Sequence, residues 1–175
     1  MKPKHIGLTV VGNKAWAAKH KTELSAAYKK TFKNLKDIID QQIKLNIPIM
    51  TVYLMPLKLK DPDQLFVLVD SLIDFFKDLT GDDILQKNKV KVSILGKWYD
   101  LPSRIVEPVK EITNLTKGYD QFFLNFCLNY EGQEEIVDAC KLIARKIQSG
   151  KIDPEAIDKE AIKDNIYSSY FLPPD

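Results

Sequence analysis

Short segments of this chain carry the residue types best suited to hold a polar ligand: Gly12-Asn13, Leu54 to Pro56, Gly96-Lys97-Trp98 and Asn129-Tyr130-Glu131-Gly132. Each follows a run of β-formers, and open parallel sheets take ligands at the carboxyl ends of their strands. Gly12-Asn13 ahead of a helix can turn backbone N–H groups towards a phosphate, and the same pair also makes an ordinary turn. The histidines offer less. His5 precedes the first strand and His20 lies between Lys19 and Lys21, positions that predict solvent-facing rings. No Ser-His-Asp order or metal-ligand spacing is recognisable. Asp82-Asp83 pairs two carboxylates, but directly after Gly81 it reads as a turn or a helix cap. Cys127 and Cys140 lack a CxxC spacing and read as small buried hydrophobes in a reducing compartment.

β-Branched runs alternate with longer stretches of helical periodicity, which specifies an α/β fold with a mainly parallel central sheet flanked by helices. The first strand is predicted from Ile6 to Val11, closed by Gly12-Asn13. A helix follows from about Thr22, with Leu24, Tyr28, Phe32, Leu35, Ile38, Ile39, Gln42 and Ile43 on one stripe. It stops near Asn46, ahead of Pro48. Ile49 to Leu54 is apolar on both faces apart from Thr51, as in a strand covered on both sides. The helix Asp63 to Leu79 has an apolar arc wider than the usual stripe of about 100°, because Phe66, Val69 and Ile73 extend the line of Leu65, Leu68, Leu72, Phe75, Phe76 and Leu79. It must face something on two sides. Val90 to Leu95 alternates as a third strand. Ser103 caps a helix Arg104 to Thr116. Asp120 to Asn129 holds the densest run of β-formers and forms a central strand. Glu134 to Ser149 is helical up to Gly150, and Asp153-Pro154-Glu155 opens a short helix to about Ile166.

With 175 residues the chain fits one domain spanning 1–175; at that length roughly 70% of the unfolded surface is buried, enough for a full core. The 45% hydrophobic and 29% charged fractions are those of a globular chain. A net charge of +2, from 26 basic and 24 acidic residues, argues against a nucleic-acid partner. Lys29, Lys30, Lys33 and Lys36 alternate with apolar positions and read as a solvated helix face. Asp70, Ser71 and Asp74 interrupt the apolar stretch Leu65 to Leu79, which falls short of the roughly 20 residues that span a bilayer. The start Met1 to His5 offers no apolar signal-peptide core. A cytoplasmic protein is expected.

Larger motifs add to this. Gly12-Asn13-x-x-Trp16-Ala17, after the strand His5 to Val11, resembles D-G-N-G-R-W, the opening motif of the cis-prenyltransferase or undecaprenyl diphosphate synthase family. Leu124-Asn125 through Asn129-Tyr130-Glu131-Gly132 to Glu135-Ile136-Val137 is similar to that family's L-N-x-x-x-N-Y-G-G-R-x-E-I-V. Ser149 to Pro154 with Tyr167 and Leu172 to Asp175 resembles the lead-in to its C-terminal motif, so the resemblance spans essentially the whole chain. It implies a fold built to join isopentenyl diphosphate to an allylic prenyl diphosphate, usually with magnesium, beside a hydrophobic tunnel. Gly12, Asn13, Trp16, Lys29, Leu54, Val69, Leu72 and Asn129 would then be the substrate-binding positions, with the helix Leu65 to Leu79 as tunnel wall. Core packing accounts for the same wide arc.

The departures concern polar groups. Val11 stands where the motif has its magnesium-binding aspartate, Lys14 at the second glycine and Ala15 at the arginine. Leu24 and Ala27-Tyr28-Lys29 replace an arginine and Gly-His-Lys, with Lys29 alone matching. Met55 to Lys60 replaces F-S-x-E-N-W, and Asp175 ends the chain where R-x-G-E would begin, as in a natural short form or a fragment. Each lost electrostatic contact to a leaving diphosphate costs roughly 3–4 kcal/mol of transition-state stabilisation. No catalytic residue and no metal ligand is therefore expected on this chain, with magnesium relevant to an active partner or to a divergent active enzyme. The expected role resembles the non-catalytic, Nogo-B-receptor-type subunit that pairs with a catalytic cis-prenyltransferase homologue. Prenyl diphosphate binding and peripheral membrane contact are compatible with it. The alternatives are a divergent transferase that uses Lys14, Lys58 and Lys60, and a prenyl-lipid-binding protein without chemistry.

Overall fold

The computed structural model describes residues 2–59 and 61–175, so Lys60 lies outside the described residues. Four strands, β1 (His5–Thr9), β2 (Ile49–Tyr53), β3 (Val90–Leu95) and β4 (Phe122–Cys127), pair in the order β1-β2-β4-β3, and every pairing is parallel. The helices are α1 (Asn13–His20), α2 (Leu24–Lys44), α3 (Pro62–Thr80), α4 (Asp83–Lys87), α5 (Ser103–Thr116), α6 (Gly132–Gln148) and α7 (Lys159–Lys163).

Because strand side chains alternate, the register sorts residues into two unlike faces. Ile6 and Leu8, Met50 and Val52, Leu124 and Phe126, and Val92 and Ile94 line up on one face. That face carries the main core with Phe32, Leu35 and Ile39 of α2, Leu72, Phe75 and Phe76 of α3, and Ile105, Val109 and Ile112 of α5. Phe126 meets Phe75 and Phe76 edge-on, each at 5.6 Å. Burying a ring of this size contributes about 2–3 kcal/mol.

The two-sided apolar arc of the third helix has a packing explanation. On one side of α3 Phe75 stacks on Phe32 of α2 at 5.0 Å. On the other it packs on α5, where Arg104 pairs with Asp70 and covers the Phe66 ring at 4.8 Å. Asp61 starts the helix by accepting the N–H groups of Asp63 and Gln64, both at 3.1 Å, with Pro62 in the first turn.

The second face is more polar. Gly7, Thr51, Asn125 and Ser93 stand in one row across it. The Thr51 hydroxyl accepts the Asn125 amide at 3.1 Å and meets His5 Nε2 at 2.8 Å. His5 Nδ1 faces the Leu172 carbonyl, which only accepts, so Nδ1 carries the proton and the Thr51 hydroxyl donates to Nε2. His5 is thus buried at 4% exposure, not solvent-facing as its place before a strand suggested, because the C-terminal segment lies over it. Phe171 of that segment packs on Phe123 at 6.3 Å.

Element ends show where pattern reading was sharp and where it was not. The α2 stripe ends as predicted at Asn46, in the left-handed region at φ 51°, with Ile47 N–H donating to Gln42 O and Asn46 N–H to Ile43 O, a Schellman motif. Gly150 closes α6 in the same way. Asp82 caps α4 through Ile84 N–H at 3.0 Å, in keeping with the turn-or-cap reading of Asp82-Asp83. β1 ends at Thr9 instead of Val11, which is 78% exposed. Ser103 is the first residue of α5, behind Pro102, and makes no capping bond. The last helix is split: Asp153 caps a 3-10 turn at Pro154–Ala156, and Asp158 caps α7. Cys127 is buried as expected, but Cys140 is exposed on the outer side of α6.

Candidate functional site

After β1 the chain turns through Val11 and Gly12. Gly12 holds φ 89°, a left-handed conformation that suits glycine, and occupies the N-cap of α1 without any side-chain cap. No acidic residue sits in the first turn of α1. Sequence periodicity missed this eight-residue helix because only Asn13 and Ala17 are buried, too few to trace a stripe. Its start and the facing side of α2 enclose a cavity of about 200 Å³. Val11, Gly12, Asn13 and Trp16 form one wall, and Ala27, Lys30, Thr31 and Asn34 of α2 form the other. Asn13 is buried at 8% exposure, and its Oδ1 accepts the Thr31 hydroxyl at 2.6 Å. Trp16 stacks on His20 at 4.1 Å, and His20 is exposed as expected.

Three predicted positions, Gly12, Asn13 and Trp16, therefore share one cavity. Lys29 is exposed on α2 but does not line it; the neighbouring Lys30 does. Sequence reading misses Lys30 because the lysine-rich stretch reads as a solvated helix face, and Thr31 and Asn34 belong to no motif that marks them. Lys33 does face solvent, while Lys36 bridges Asp78 and Asp82 at 2.8 and 3.0 Å. Leu54, Val69 and Leu72 sit in the packed core, at 5%, 2% and 0% exposure. Asn129 lies at the carboxyl end of β4, away from this cavity's lining. At φ 50° its amide donates to Lys97 O at 2.9 Å and its carbonyl accepts Lys97 N–H at 3.1 Å, so it ties the β3 and β4 loops together. Of the proposed replacement lysines, Lys14 pairs with Asp61 and Lys58 is exposed. Hydrogen bonding to Lys14 holds the Asp61 carboxyl below its usual range, helped by the α3 N–H groups.

Two other polar groupings are accounted for by structure. An open depression of about 700 Å³ at the carboxyl end of α3 is lined by Asp78, Asp82, Asp83, Lys77 and Lys87, whose carboxylates are paired by Lys36 and Lys87. At the carboxyl end of β3, Lys97 reaches Glu134 at 2.5 Å and Asp138 at 3.3 Å. Asp138 also accepts the Tyr167 hydroxyl, and Glu135 accepts the Tyr130 hydroxyl at 2.5 Å and Ser168 N–H at 3.2 Å. These bonds anchor the C-terminal segment on α6. Burial, then the adjacent carboxylates, pushes both phenols up.

The geometry defines a class first: an open parallel α/β sheet flanked by helices, with a small cavity where the first strand feeds the first helix. Residues 10–175 match the family described as putative undecaprenyl diphosphate synthase, and the chain belongs to that family. It is 33% identical over 177 residues to a tritrans,polycis-undecaprenyl-diphosphate synthase (geranylgeranyl-diphosphate specific) of Thermococcus kodakarensis, and 31% identical over 175 residues to the protein of that name from Pyrococcus horikoshii. These alignments take in 99% of the chain and 66% of each relative, so the chain spans just under two thirds of their length. In fold it superposes on lavandulyl diphosphate synthase from Lavandula x intermedia, solved with dimethylallyl diphosphate, with a TM-score of 0.94 at 20% identity, over 99% of this chain and 75% of that one. A probable undecaprenyl diphosphate synthase from Campylobacter jejuni gives a TM-score of 0.70 at 17% identity, over 93% and 68%.

The cavity residues do not fit the magnesium that such a family implies. Magnesium takes hard oxygen ligands, whereas the lining has no carboxylate and the one buried amide oxygen is taken by Thr31. Among the described residues no group of three or more His, Cys, Asp or Glu is placed to hold a metal. No helix among them is long and apolar enough to cross a membrane.

Proposed function

We propose that this chain is a non-catalytic or regulatory subunit of a heteromeric cis-prenyltransferase, acting in polyprenyl diphosphate synthesis in the cytoplasm beside a catalytic homologue. The observation that carries this reading is the exposed Val11 at the rim of a cavity with no carboxylate, inside an otherwise intact family fold. Stabilising charge on a leaving diphosphate is the largest requirement of allylic ionisation, and several contacts that would supply it are absent together. In this role Gly12, Asn13 and Trp16 face the prenyl diphosphate, and Leu54, Val69 and Leu72 belong to the apolar scaffold behind it. Asn129 holds the neighbouring loops in place. Co-expression with a cis-prenyltransferase homologue from the same genome tests the proposal. A co-purifying complex with altered synthase activity is expected; separate elution with unchanged activity rejects it.

A second reading, a divergent active transferase, is favoured by one observation: relatives at 33% and 31% identity are named as synthases. Incubating the purified chain with isopentenyl diphosphate, geranylgeranyl diphosphate and magnesium decides between the two. Polyprenyl product from the chain alone establishes the second reading and rejects the first.

A further inference from the structure

We propose that the Trp16–His20 stack at the end of α1 is a proton-sensitive latch. When His20 carries its second proton, the Trp16 indole is held firmly in the wall of the cavity between α1 and α2; loss of that proton loosens it. The device goes beyond the subunit reading and holds for a subunit and for a transferase alike, because it stands on the geometry of α1.

α1 ends at His20, and Lys21 turns the chain through the left-handed region at φ 50°. Lys21 N–H donates to Ala18 O at 3.3 Å and Thr22 N–H to Ala17 O at 3.1 Å, while the His20 ring bonds one residue further back, with Nδ1 2.9 Å from Trp16 O. A carbonyl only accepts, so Nδ1 carries the proton and Nε2 keeps its lone pair. The ring lies over the Trp16 indole, with centroids 4.1 Å apart and planes 21° from parallel. His20 is exposed, so a proton adds at Nε2 from water without breaking the Nδ1 bond. Trp16 in turn lines the cavity. α1 buries only Asn13 and Ala17, so few apolar contacts fix its last turn and a modest change at His20 moves it.

Three contacts favour the charged ring: the indole face beneath it, the negative carboxyl end of α1, and the bond to Trp16 O, which becomes charge-assisted. The surrounding charges are mixed. Lys19 and Lys21 flank His20 on its own segment, and Lys14 of α1 is tied to Asp61 at the start of α3. From α2, which packs on α1, Glu23 stands at the N-cap and Lys30 lines the cavity. Adjacent residues on a helix do not face each other, and salt screens exposed charges, so Lys19 and Lys21 weaken the effect without reversing it. Together the contacts tighten the stack about fivefold on protonation. The latch is therefore closed at the acid end of the range in which an imidazole changes charge, about pH 5–8, and open at the alkaline end.

Two measurements on the full chain between about pH 8 and pH 5 test this. One is acrylamide quenching in Trp98→Phe, where Trp16 is the sole indole; the other is hydrogen exchange of the α1 amides, corrected for the intrinsic rate. On acidification, quenching of Trp16 should fall, and protection of the Lys19 and His20 N–H groups should rise about fivefold. His20→Gln should hold the loose values at both pH values. His20→Arg, whose planar guanidinium stacks on an indole and stays charged, should hold the tight values at both. Equal quenching and protection at the two pH values in the parent sequence overturns the proposal. So does a pH dependence that survives His20→Gln, which would assign it to His5, the other histidine. His20→Arg behaving like His20→Gln also overturns it, because the stack would then owe nothing to charge. If Trp98→Phe does not fold, exchange on the chain with Trp98 in place decides alone.

Discussion

Gly96 shows how little latitude a single position allows. It holds φ 104°, and a Cβ there would lie 2.4 Å from Leu128 O and 2.9 Å from the Tyr130 Cβ. Backbone strain and overlap together set the cost of Gly96→Ala at about 2–4 kcal/mol, read as a shift in urea midpoint at constant slope. The cysteines differ just as sharply. Burial pushes the Cys127 thiol up to about 12, whereas Cys140 is exposed. One thiol should react with Ellman's reagent at pH 8 in the native chain, Cys140→Ser should remove that reaction, and denaturant should restore a single slow thiol as Cys127 opens. Without a CxxC spacing both cysteines read as interior, and Cys140 also continues the apolar spacing of α6. The buried line of that helix is Glu135, Ala139 and Ile143, one position round.

At the scale of elements, the edge strand β3 depends on a hydroxyl from a helix. Thr116, fully buried at the end of α5, accepts Val92 N–H at 3.0 Å and donates to Ile112 O at 2.8 Å. Thr116→Val keeps the volume but strands the Val92 N–H, at a cost of about 1–3 kcal/mol. Hydrogen exchange should show Val92 losing protection first, and Thr116→Ser should restore it. Strands and long helices were legible because their apolar periods are long and regular: β3 runs from Val90 to Leu95 as predicted, and α2 and α3 fall within two or three residues of expectation. The short helices α1 and α4 bury two and one residues, so no period announces them.

On the scale of the whole molecule, the C-terminal segment is held to the sheet's polar face by charge as well as by packing. Hydrogen bonding to Lys97 holds the Glu134 carboxyl below its usual range, and the Tyr167 hydroxyl, then Lys97, does so for Asp138. Depressed carboxylates stabilise the fold above their unfolded values near pH 4, and that contribution is lost as pH falls through the lower folded values. Lys97 is raised, chiefly by Glu134, so its share is present below about pH 10.4 and is lost as pH climbs through the higher folded value. Lys97→Met should therefore lower the melting temperature at pH 7, and the gap from the parent chain should close as pH drops below about 4. A gap that persists to pH 2 would mean that Lys97 acts through packing alone.

By itself the sequence determined the parallel α/β fold, the family and the absence of a carboxylate at Val11, since these depend on periodicity and on residue identity along the chain. Tertiary structure decided which polar groups meet. Thr31 reaches Asn13 across a gap of 18 residues, Phe171 and Leu172 cover Phe123 and His5 at the far end of the chain, and Lys30 rather than Lys29 faces the cavity. The physical reason is that burial of a stripe is a local property of sequence, whereas the rotation of α2 against α1 and the path of the last segment are set by contacts that span the fold.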